Sequence, residues 1–202
     1  VTEDAKRFKV QREAYEWLLS GYCKESAVVP TRCEAGTFGN RTNRTTQDDC
    51  FICPAGSSCA LGASENTSCA AGTVTNAKGR AECDPCAAGR YQTDKGETSC
   101  NECPRGSYCE PRSAAATPCP AGRFGDVIGN KAEADCHRCP PGFACRRGSD
   151  QKTACFAGSF MPNASAEKCL LCDPGTSQGN QRETACEACQ PHCVCSSALK
   201  FQ

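Results

Sequence analysis

Residues 83–109, CDPCAAGRYQTDKGETSCNECPRGSYC, contain both kinds of loop from which this chain is built. A long loop runs from Cys86 to Cys100, with a glycine three positions and a tyrosine five positions after its first cysteine. A short loop, CPRGSYC, runs from Cys103 to Cys109. Glycine in this position, often behind proline, favours a tight turn in which glycine adopts a positive φ angle. The stretch therefore predicts two successive turns that are closed by cysteines.

The cysteine spacing repeats with a period of 86 residues, without insertion or deletion. Cys33, Cys50, Cys53, Cys59, Cys69, Cys83, Cys86, Cys100, Cys103 and Cys109 recur at Cys119, Cys136, Cys139, Cys145, Cys155, Cys169, Cys172, Cys186, Cys189 and Cys195. Cys23 lies 86 positions before Cys109, so the register extends almost to the start of the chain. A fixed period of this kind is typical of repeat proteins, in which each unit contacts mainly its neighbours.

The composition predicts a fold that is held by disulfides. The 202 residues include 22 cysteines, whereas Leu, Ile, Val and Phe together number 23. That apolar content is too small to offset the backbone entropy of ordering the chain, about 1–2 kcal/mol per residue. Each disulfide typically adds about 2–4 kcal/mol. Disulfides at this density persist in oxidising surroundings, so we expect an extracellular or cell-surface protein of the secretory pathway.

Four N-x-S/T sequons agree with a secretory route and predict N-linked glycans on Asn40, Asn43, Asn66 and Asn163. The sequence contains no signal peptide and no apolar run long enough to span a bilayer. Because the cysteine pattern starts and stops within a repeat, we expect a fragment of a longer protein. Any contact with a membrane would then be made through parts outside this fragment.

The charge balance argues against two classes of partner. Lys plus Arg and Asp plus Glu number 23 each, and neither sign forms a long block. Nucleic acid requires a basic face, and electrostatic membrane docking requires a basic cluster. We therefore expect no nucleic-acid partner and no electrostatic docking to lipid.

Residues 3–20 are the one helical candidate. Phe8, Ala14, Tyr15, Leu18 and Leu19 fall on one stripe at helical spacing. Such a stripe could dock on a partner chain, but it more commonly packs on its own protein. The sequence thus divides into an N-terminal helical segment, 1–22, a first cysteine-rich repeat unit, 23–118, and a second, 119–202. In the 86-residue register, Trp17 occupies a position that is cysteine at 103 and 189.

The motif C-x-x-G-x-[FY]-x(8–11)-C-x-x-C-P-x-G resembles the cysteine-rich repeats of ephrin receptors and tumour-necrosis-factor receptors. The closest form is the tandem C-P-x-G-x-Y-C variety of very large surface proteins in protists and some animals. The resemblance covers residues 33–195, and the CQPHCVC ending at 189–195 departs from it. It implies elongated rods that serve as stalks, adhesion segments or ligand-binding ectodomains.

Two disulfide schemes are compatible with the spacing. All six long loops share one sequence plan, which favours a ladder in which every loop closes on itself. The ladder comprises 33–50, 53–59, 69–83, 86–100, 103–109, 119–136, 139–145, 155–169 and 172–186. The rival is an interlaced scheme, such as 103–119 with 109–136. Cys189 would pair with Cys193 or Cys195, and Cys23, whose short-loop partner is replaced by Trp17, would pair elsewhere.

Metal-binding and redox chemistry fit the cysteine pattern less well than this ladder. The spacing C-x-x-C-x13-C-x-x-C at 83–103 and 169–189 matches a zinc ribbon, but it is one slice of a continuous cysteine pattern. No C-x-x-C precedes the helix N-terminus that a redox motif needs. His137 and His192 each lie beside cysteines, and we expect both to face solvent. We therefore predict no catalytic residues, no metal ligands and no cofactor.

The predicted fold is a small disulfide-rich repeat protein: an elongated rod of short β-hairpins and irregular turns with an N-terminal α-helix. We expect six hairpins with strands of about five residues. The favoured function is a structural, glycosylated segment of an extracellular stalk or fibre, whose partners are other extracellular proteins or copies of itself. The alternative is a ligand-binding or adhesion ectodomain of a cell-surface receptor, which would need a cluster of exposed aromatics or arginines.

Overall fold

The structure, a computed structural model, describes residues 21–23, 31–41 and 45–190. These ranges contain no α-helix, and no helix in them is long and apolar enough to cross a lipid bilayer. The helix expected over residues 3–20 lies outside the described residues. What the described chain forms instead is a series of two-residue strands that pair consecutively into ten two-stranded sheets.

The first ten strands are β1 Gly21–Tyr22, β2 Thr31–Arg32, β3 Thr37–Phe38, β4 Phe51–Ile52, β5 Ser57–Ser58, β6 Thr67–Ser68, β7 Thr73–Val74, β8 Asp84–Pro85, β9 Arg90–Tyr91 and β10 Asn101–Glu102. The other ten are β11 Ser107–Tyr108, β12 Thr117–Pro118, β13 Arg123–Phe124, β14 His137–Arg138, β15 Phe143–Ala144, β16 Thr153–Ala154, β17 Ser159–Phe160, β18 Leu170–Leu171, β19 Thr176–Ser177 and β20 Glu187–Ala188. Short 3₁₀ helices at Gln47–Asp49 and Glu133–Asp135 complete the described elements.

The expected hairpins are present, but they are shorter and more numerous than six with five-residue strands. In the long loop from Cys33, β3 pairs antiparallel with β4, which places Phe38 opposite Phe51. The short loop from Cys53 also starts a hairpin, in which β5 pairs with β6. Each strand is confined between a turn or loop and a cysteine, so only two residues are left to form it. The short loops therefore add hairpins that the sequence pattern did not predict.

Backbone hydrogen bonds join each turn to the next one along the chain. In every case the amide of a cysteine donates to the carbonyl of the turn glycine that precedes it, at 2.8–3.0 Å. The donor and acceptor pairs are Cys53 to Gly36, Cys69 to Gly56, Cys86 to Gly72, Cys103 to Gly89, Cys119 to Gly106, Cys139 to Gly122, Cys155 to Gly142, Cys172 to Gly158 and Cys189 to Gly175. The glycine of the C-x-x-G motif thus supplies the carbonyl that binds the first cysteine of the following turn.

The turn glycine also contacts the second turn along. Gly36 has a φ angle of 88°, and its amide donates to the carbonyl of Cys59 at 2.8 Å. A β-carbon built on Gly36 would overlap the carbonyl of Gly79, whose own amide donates to Cys53 at 2.8 Å. Both the positive φ and the close approach exclude a side chain here. Contacts therefore reach one turn beyond the immediate neighbour.

The buried core consists almost entirely of cysteine. Thirteen of the fifteen buried apolar residues in the described part of the chain are cysteines, and the other two are Tyr22 and Met161. Nine disulfides have both cysteines within the described residues, with Cα–Cα distances of 5.7–5.9 Å. Their pairing is that of the ladder and differs from the interlaced scheme. Each disulfide closes a loop with a sequence separation of 6, 14 or 17.

The described residues form two compact units. One extends to Cys86 and includes Gln92–Asn101, and the other comprises Ala87–Tyr91 and the residues from Glu102 onward. The same turn-to-turn hydrogen bonds occur inside each unit. The described residues of the second cysteine repeat lie in the second unit.

Candidate functional site

The cysteines that match zinc-ribbon spacing are engaged in disulfides. Cys83 is bonded to Cys69, Cys86 to Cys100, and Cys103 to Cys109. Cys169, Cys172 and Cys189 are bonded as well, whereas Cys193 and Cys195 lie outside the described residues. Metal-binding cysteines must be thiolates, so these positions do not offer a ligand set. Elsewhere in the described part of the chain, no group of three His, Cys, Asp or Glu is placed to hold a metal.

Cys23 is exposed and carries a free thiol in this structure. The expectation that it pairs elsewhere is therefore wrong for the described residues. Its short-loop partner is absent, because Cys109 is closed by Cys103 and the position corresponding to Cys103 is Trp17, and every other described cysteine is already in a disulfide. The short loop before Cys23 thus lacks the cysteine that would close it.

Three of the four sequons lie on exposed positions. Asn40, Asn66 and Asn163 are all exposed, and Asn43 lies outside the described residues. The amide nitrogen of Asn66 donates to the hydroxyl of Ser57 at 3.1 Å. This bond leaves the second amide hydrogen unused. The three exposed asparagines are thus accessible attachment points.

A row of alternating rings and cations runs across the second unit, and we call it the aromatic–cation row: His137, Phe124, Lys152, Phe143 and Arg182. The rings of Phe124 and His137 are 5.7 Å apart. The Lys152 ammonium lies 5.9 Å from the centre of the Phe124 ring and 5.2 Å from that of Phe143. The Arg182 guanidinium lies 5.5 Å from the centre of the Phe143 ring. These distances are typical of cation–π contacts.

The hairpins and one turn contact position this row. Phe124 on β13 is directly opposite His137 on β14, and Phe143 begins β15. Arg182 has a φ angle of 68°, and its amide donates to the carbonyl of Cys155 at 3.1 Å. A β-carbon built on Gly142 would overlap the Arg182 carbonyl. Gly142 therefore lets Arg182 approach the hairpin that carries Phe143.

The cations of the row differ from other arginines in their partners. Arg80 and Arg90 form ion pairs with Asp84 and Glu102 at 2.6 and 3.1 Å. Within the described residues, Lys152 and Arg182 have no carboxylate within 4.0 Å. His137 lies 3.5 Å from Asp126, an ion pair only when the imidazole is protonated. Two permanent charges of the row are thus held by rings instead of by acids.

A groove of about 510 Å³ lies along the same hairpin. It is lined by Ala144, Arg146, Ser149, Thr153, Ala154, Phe156, Glu167, Lys168 and Cys169. Arg146 and Lys168 form no ion pair with described residues, and Glu167 forms none either. The groove therefore combines two cations, one carboxylate, two hydroxyls and one ring.

The corresponding positions of the first repeat carry different chemistry. Residues 137–152 include four Lys or Arg and one Asp, a net charge of +3, whereas residues 51–66 include no Lys or Arg and one Glu, a net charge of −1. His137, Phe143, Lys152 and Arg182 correspond to Phe51, Ser57, Asn66 and Gly96. Sequence reasoning did not identify the row. A comparison of the charged residues at matching positions of the two repeats would have revealed this difference in charge.

The Asp135 carboxylate caps the 3₁₀ helix in this region. It accepts hydrogen bonds from the amides of Lys131 and Ala132 at 2.7 and 3.1 Å. These two bonds, to Lys131 first and then to Ala132, hold the pKa of Asp135 below its ordinary value of 3.8. The cap fixes the loop that leads into Cys136 and His137, and so supports one end of the row.

Comparison with known proteins identifies part of the chain. The sequence pattern of the family described as tyrosine-protein kinase ephrin type A/B receptor-like matches residues 72–117. The chain therefore contains an ephrin-receptor-like cysteine-rich domain within tandem disulfide-bonded β-hairpin repeats, a non-catalytic type of module. This domain and the many disulfides indicate an extracellular module. No curated protein matches the chain at a significant level.

Proposed function

We propose that this chain, which carries an ephrin-receptor-like cysteine-rich domain, is a stiff, glycosylated spacer in an extracellular stalk, fibre or cell-surface assembly. The observation that carries this proposal is the locality of its cross-links. Every disulfide between described cysteines closes its own loop, with a sequence separation of at most 17. Length can then be set by the number of turns, because the contacts of a described turn extend to the next turn and the second turn along the chain.

The hydrogen bonds between turns support stiffness. Each turn glycine accepts from the next cysteine amide, and β3 and β13 are also bridged to the following loop at Ala63 and Ser149. Successive turns are thus joined by backbone bonds in addition to side-chain contacts. We propose that the series continues as a rod, since a fixed register from turn to turn leaves little freedom for bending.

Small-angle scattering of the oxidised 202-residue chain tests this proposal. A compact globule of this length would have a radius of gyration of about 17 Å. We expect a radius of gyration well above that value both before and after the glycans are removed. A radius of gyration near 17 Å would contradict the spacer function.

A protease digest provides an independent test of the same function. Closed loops keep their backbone within a few residues of a disulfide, so the oxidised chain should resist trypsin despite its 23 Lys and Arg. Reduction should make the loops susceptible within the same time course. Equal cleavage of the oxidised and reduced chains would argue against a resistant spacer.

The alternative function, a ligand-binding ectodomain, is favoured by one observation. The aromatic–cation row supplies the cluster of rings and basic side chains that a recognition surface requires. Its charges Lys152 and Arg182 are not used for ion pairs within the described part of the chain. A spacer can carry such a surface, so the two functions are compatible.

A further inference from the structure

We propose that the aromatic–cation row binds an anionic polysaccharide, whose sulfate or carboxylate groups would contact Lys152 and Arg182. The groove on the same hairpin offers Arg146, Lys168 and two hydroxyls to a saccharide chain that extends beyond the row. This binding function is additional to the spacer function and does not depend on it.

The row presents its cations in a form that suits an anion. Lys152 lies over two rings, at 5.2 and 5.9 Å, and Arg182 lies over one, at 5.5 Å. A ring restrains the long side chain but accepts none of its strong hydrogen bonds, so the N–H groups stay available to oxygen acceptors. Restraint before binding reduces the entropy that is lost when an anion is bound.

Arg182 carries a charged side chain at a turn position where the first repeat has glycine. Its φ angle is 68°, a region that arginine rarely adopts, and the corresponding residue of the first repeat is Gly96 with a φ of 79°. Glycine would adopt this conformation without strain. The turn itself requires the positive φ, since Ser165, with a φ of 66°, has the same position against Gly122. What distinguishes Arg182 is its charge, which lies on a ring with no carboxylate within 4.0 Å among the described residues.

The groove favours a saccharide over an acidic protein. Cations of this chain already lie over the rings of Phe124 and Phe143, so the row offers a ligand mainly positive charge. The lining also includes Glu167, together with Ser149 and Thr153. A carboxylate repels a purely acidic segment but accepts a hydrogen bond from a sugar hydroxyl. This mixture fits a chain that carries both hydroxyls and anionic groups.

The first repeat shows that the fold does not require these charges. Asn66 and Gly96 occupy the places of Lys152 and Arg182 on a scaffold with the same disulfides and hairpins. It also supplies substitutions that the backbone accepts. K152N and R182G replace each cation by the residue that this chain itself uses at the matching position, and neither creates a sequon.

The experiment measures binding of the oxidised full chain to size-defined oligosaccharides by titration calorimetry at low and high salt. The probes are heparin, chondroitin sulfate, hyaluronan, neutral dextran and polyglutamate. We expect heparin to bind and dextran not to bind, with affinity that falls as salt rises. Binding of hyaluronan as well would show that carboxylates suffice, and binding of the sulfated probes alone would assign the site to sulfate; both results support the proposal.

Variants distinguish binding at the aromatic–cation row from attraction by the net charge of the chain. K152N and R182G should each weaken heparin binding about fivefold, and the double variant about 25-fold, with unchanged disulfides. R80Q removes the same charge from an arginine that is paired with Asp84, and it should leave binding unchanged. The reciprocal variant S57F/N66K/G96R should add a second site in the first repeat.

Three outcomes would overturn the proposal. The first is unchanged heparin affinity in the double variant. The second is an equal loss in R80Q, which would mean that only net charge matters. The third is binding of polyglutamate without binding of any anionic saccharide, which would assign the row to an acidic protein. Because Lys152 is exposed, the single variant K152Q keeps the test valid if R182G alters folding.

Discussion

The carbonyl of Arg182 lies against the α-carbon of Gly142, so that a β-carbon on Gly142 would overlap it. This contact joins two turns that are not consecutive, and it brings Arg182 to Phe143. We predict that G142A lowers the free energy of unfolding by more than about 3 kcal/mol, from a positive φ of 77° combined with a backbone overlap. Denaturation of the oxidised chain measures the effect.

Gly129 is the matched control for this substitution. It has the same φ angle of 77°, but a β-carbon there would meet no described atom within 4 Å. G129A should therefore lower the free energy of unfolding only by the conformational penalty of a positive φ angle, about 1–2 kcal/mol. Equal destabilisation by G129A and G142A would show that the turn contact contributes nothing.

Loop length should determine how much each disulfide contributes to the free energy of unfolding. Cys119–Cys136 has a sequence separation of 17 and Cys139–Cys145 a separation of 6, and all four cysteines are fully buried. A disulfide that closes a longer loop removes more entropy from the unfolded chain. The free energy of unfolding should therefore fall by about 3 kcal/mol in C119A/C136A and by about 2 kcal/mol in C139A/C145A. Chemical denaturation of the two variants tests this order. A larger loss for the short loop would mean that native contacts, not chain entropy, determine the contribution.

The Asp135 cap should be lost in acid. Because its folded pKa is lowered, its stabilising contribution is complete above the unfolded pKa near 3.8 and disappears as pH falls through the lower folded value. The amide protons of Lys131 and Ala132, which donate to this carboxylate, should report the change by NMR. We expect both to titrate with a midpoint below 3.8, and D135N should abolish the titration. A midpoint at or above 3.8 would exclude the cap.

Glycans should occupy the exposed sequons when the chain is made in a eukaryotic secretory host. We expect one on Asn66, one on Asn163, and at least one on the neighbouring pair Asn40 and Asn43. N66Q and N163Q should each remove one glycan by intact mass, whereas N76Q, an exposed asparagine without a sequon, should remove none. A mass that does not change after glycosidase treatment would refute the assignment.

The disulfide ladder could be predicted from sequence because its loops share one plan, and a common plan requires a common closure. Strand length could not, since it depends on where the turn glycine and the cysteine stop the pairing. Hairpins in the short loops were missed for the same reason: β5 contributes residues 57–58 within the loop, but its partner β6 lies beyond Cys59, immediately before Cys69.

The aromatic–cation row was not predicted because its members are far apart in sequence. Phe143 and Arg182 are 39 residues apart, and they are brought together by the contact of Gly142 with Arg182 and by the hydrogen bond of the Arg182 amide to Cys155. The C-x-x-G motif predicts a turn with positive φ at its glycine, but it does not show which later carbonyl lies against that glycine. Which carbonyl contacts the glycine depends on how successive turns pack on one another, and a local sequence pattern does not specify this packing.

Disulfide mapping by mass spectrometry of the unreduced chain tests the central claim, that every turn is closed by its own cross-link. The digest should contain linked peptides for Cys103–Cys109 and Cys119–Cys136, as for the other seven pairs of the ladder, and Cys23 should be alkylated without reduction. Peptides that link Cys103 to Cys119 and Cys109 to Cys136 would contradict it, because those disulfides would join neighbouring turns instead of closing each turn on itself.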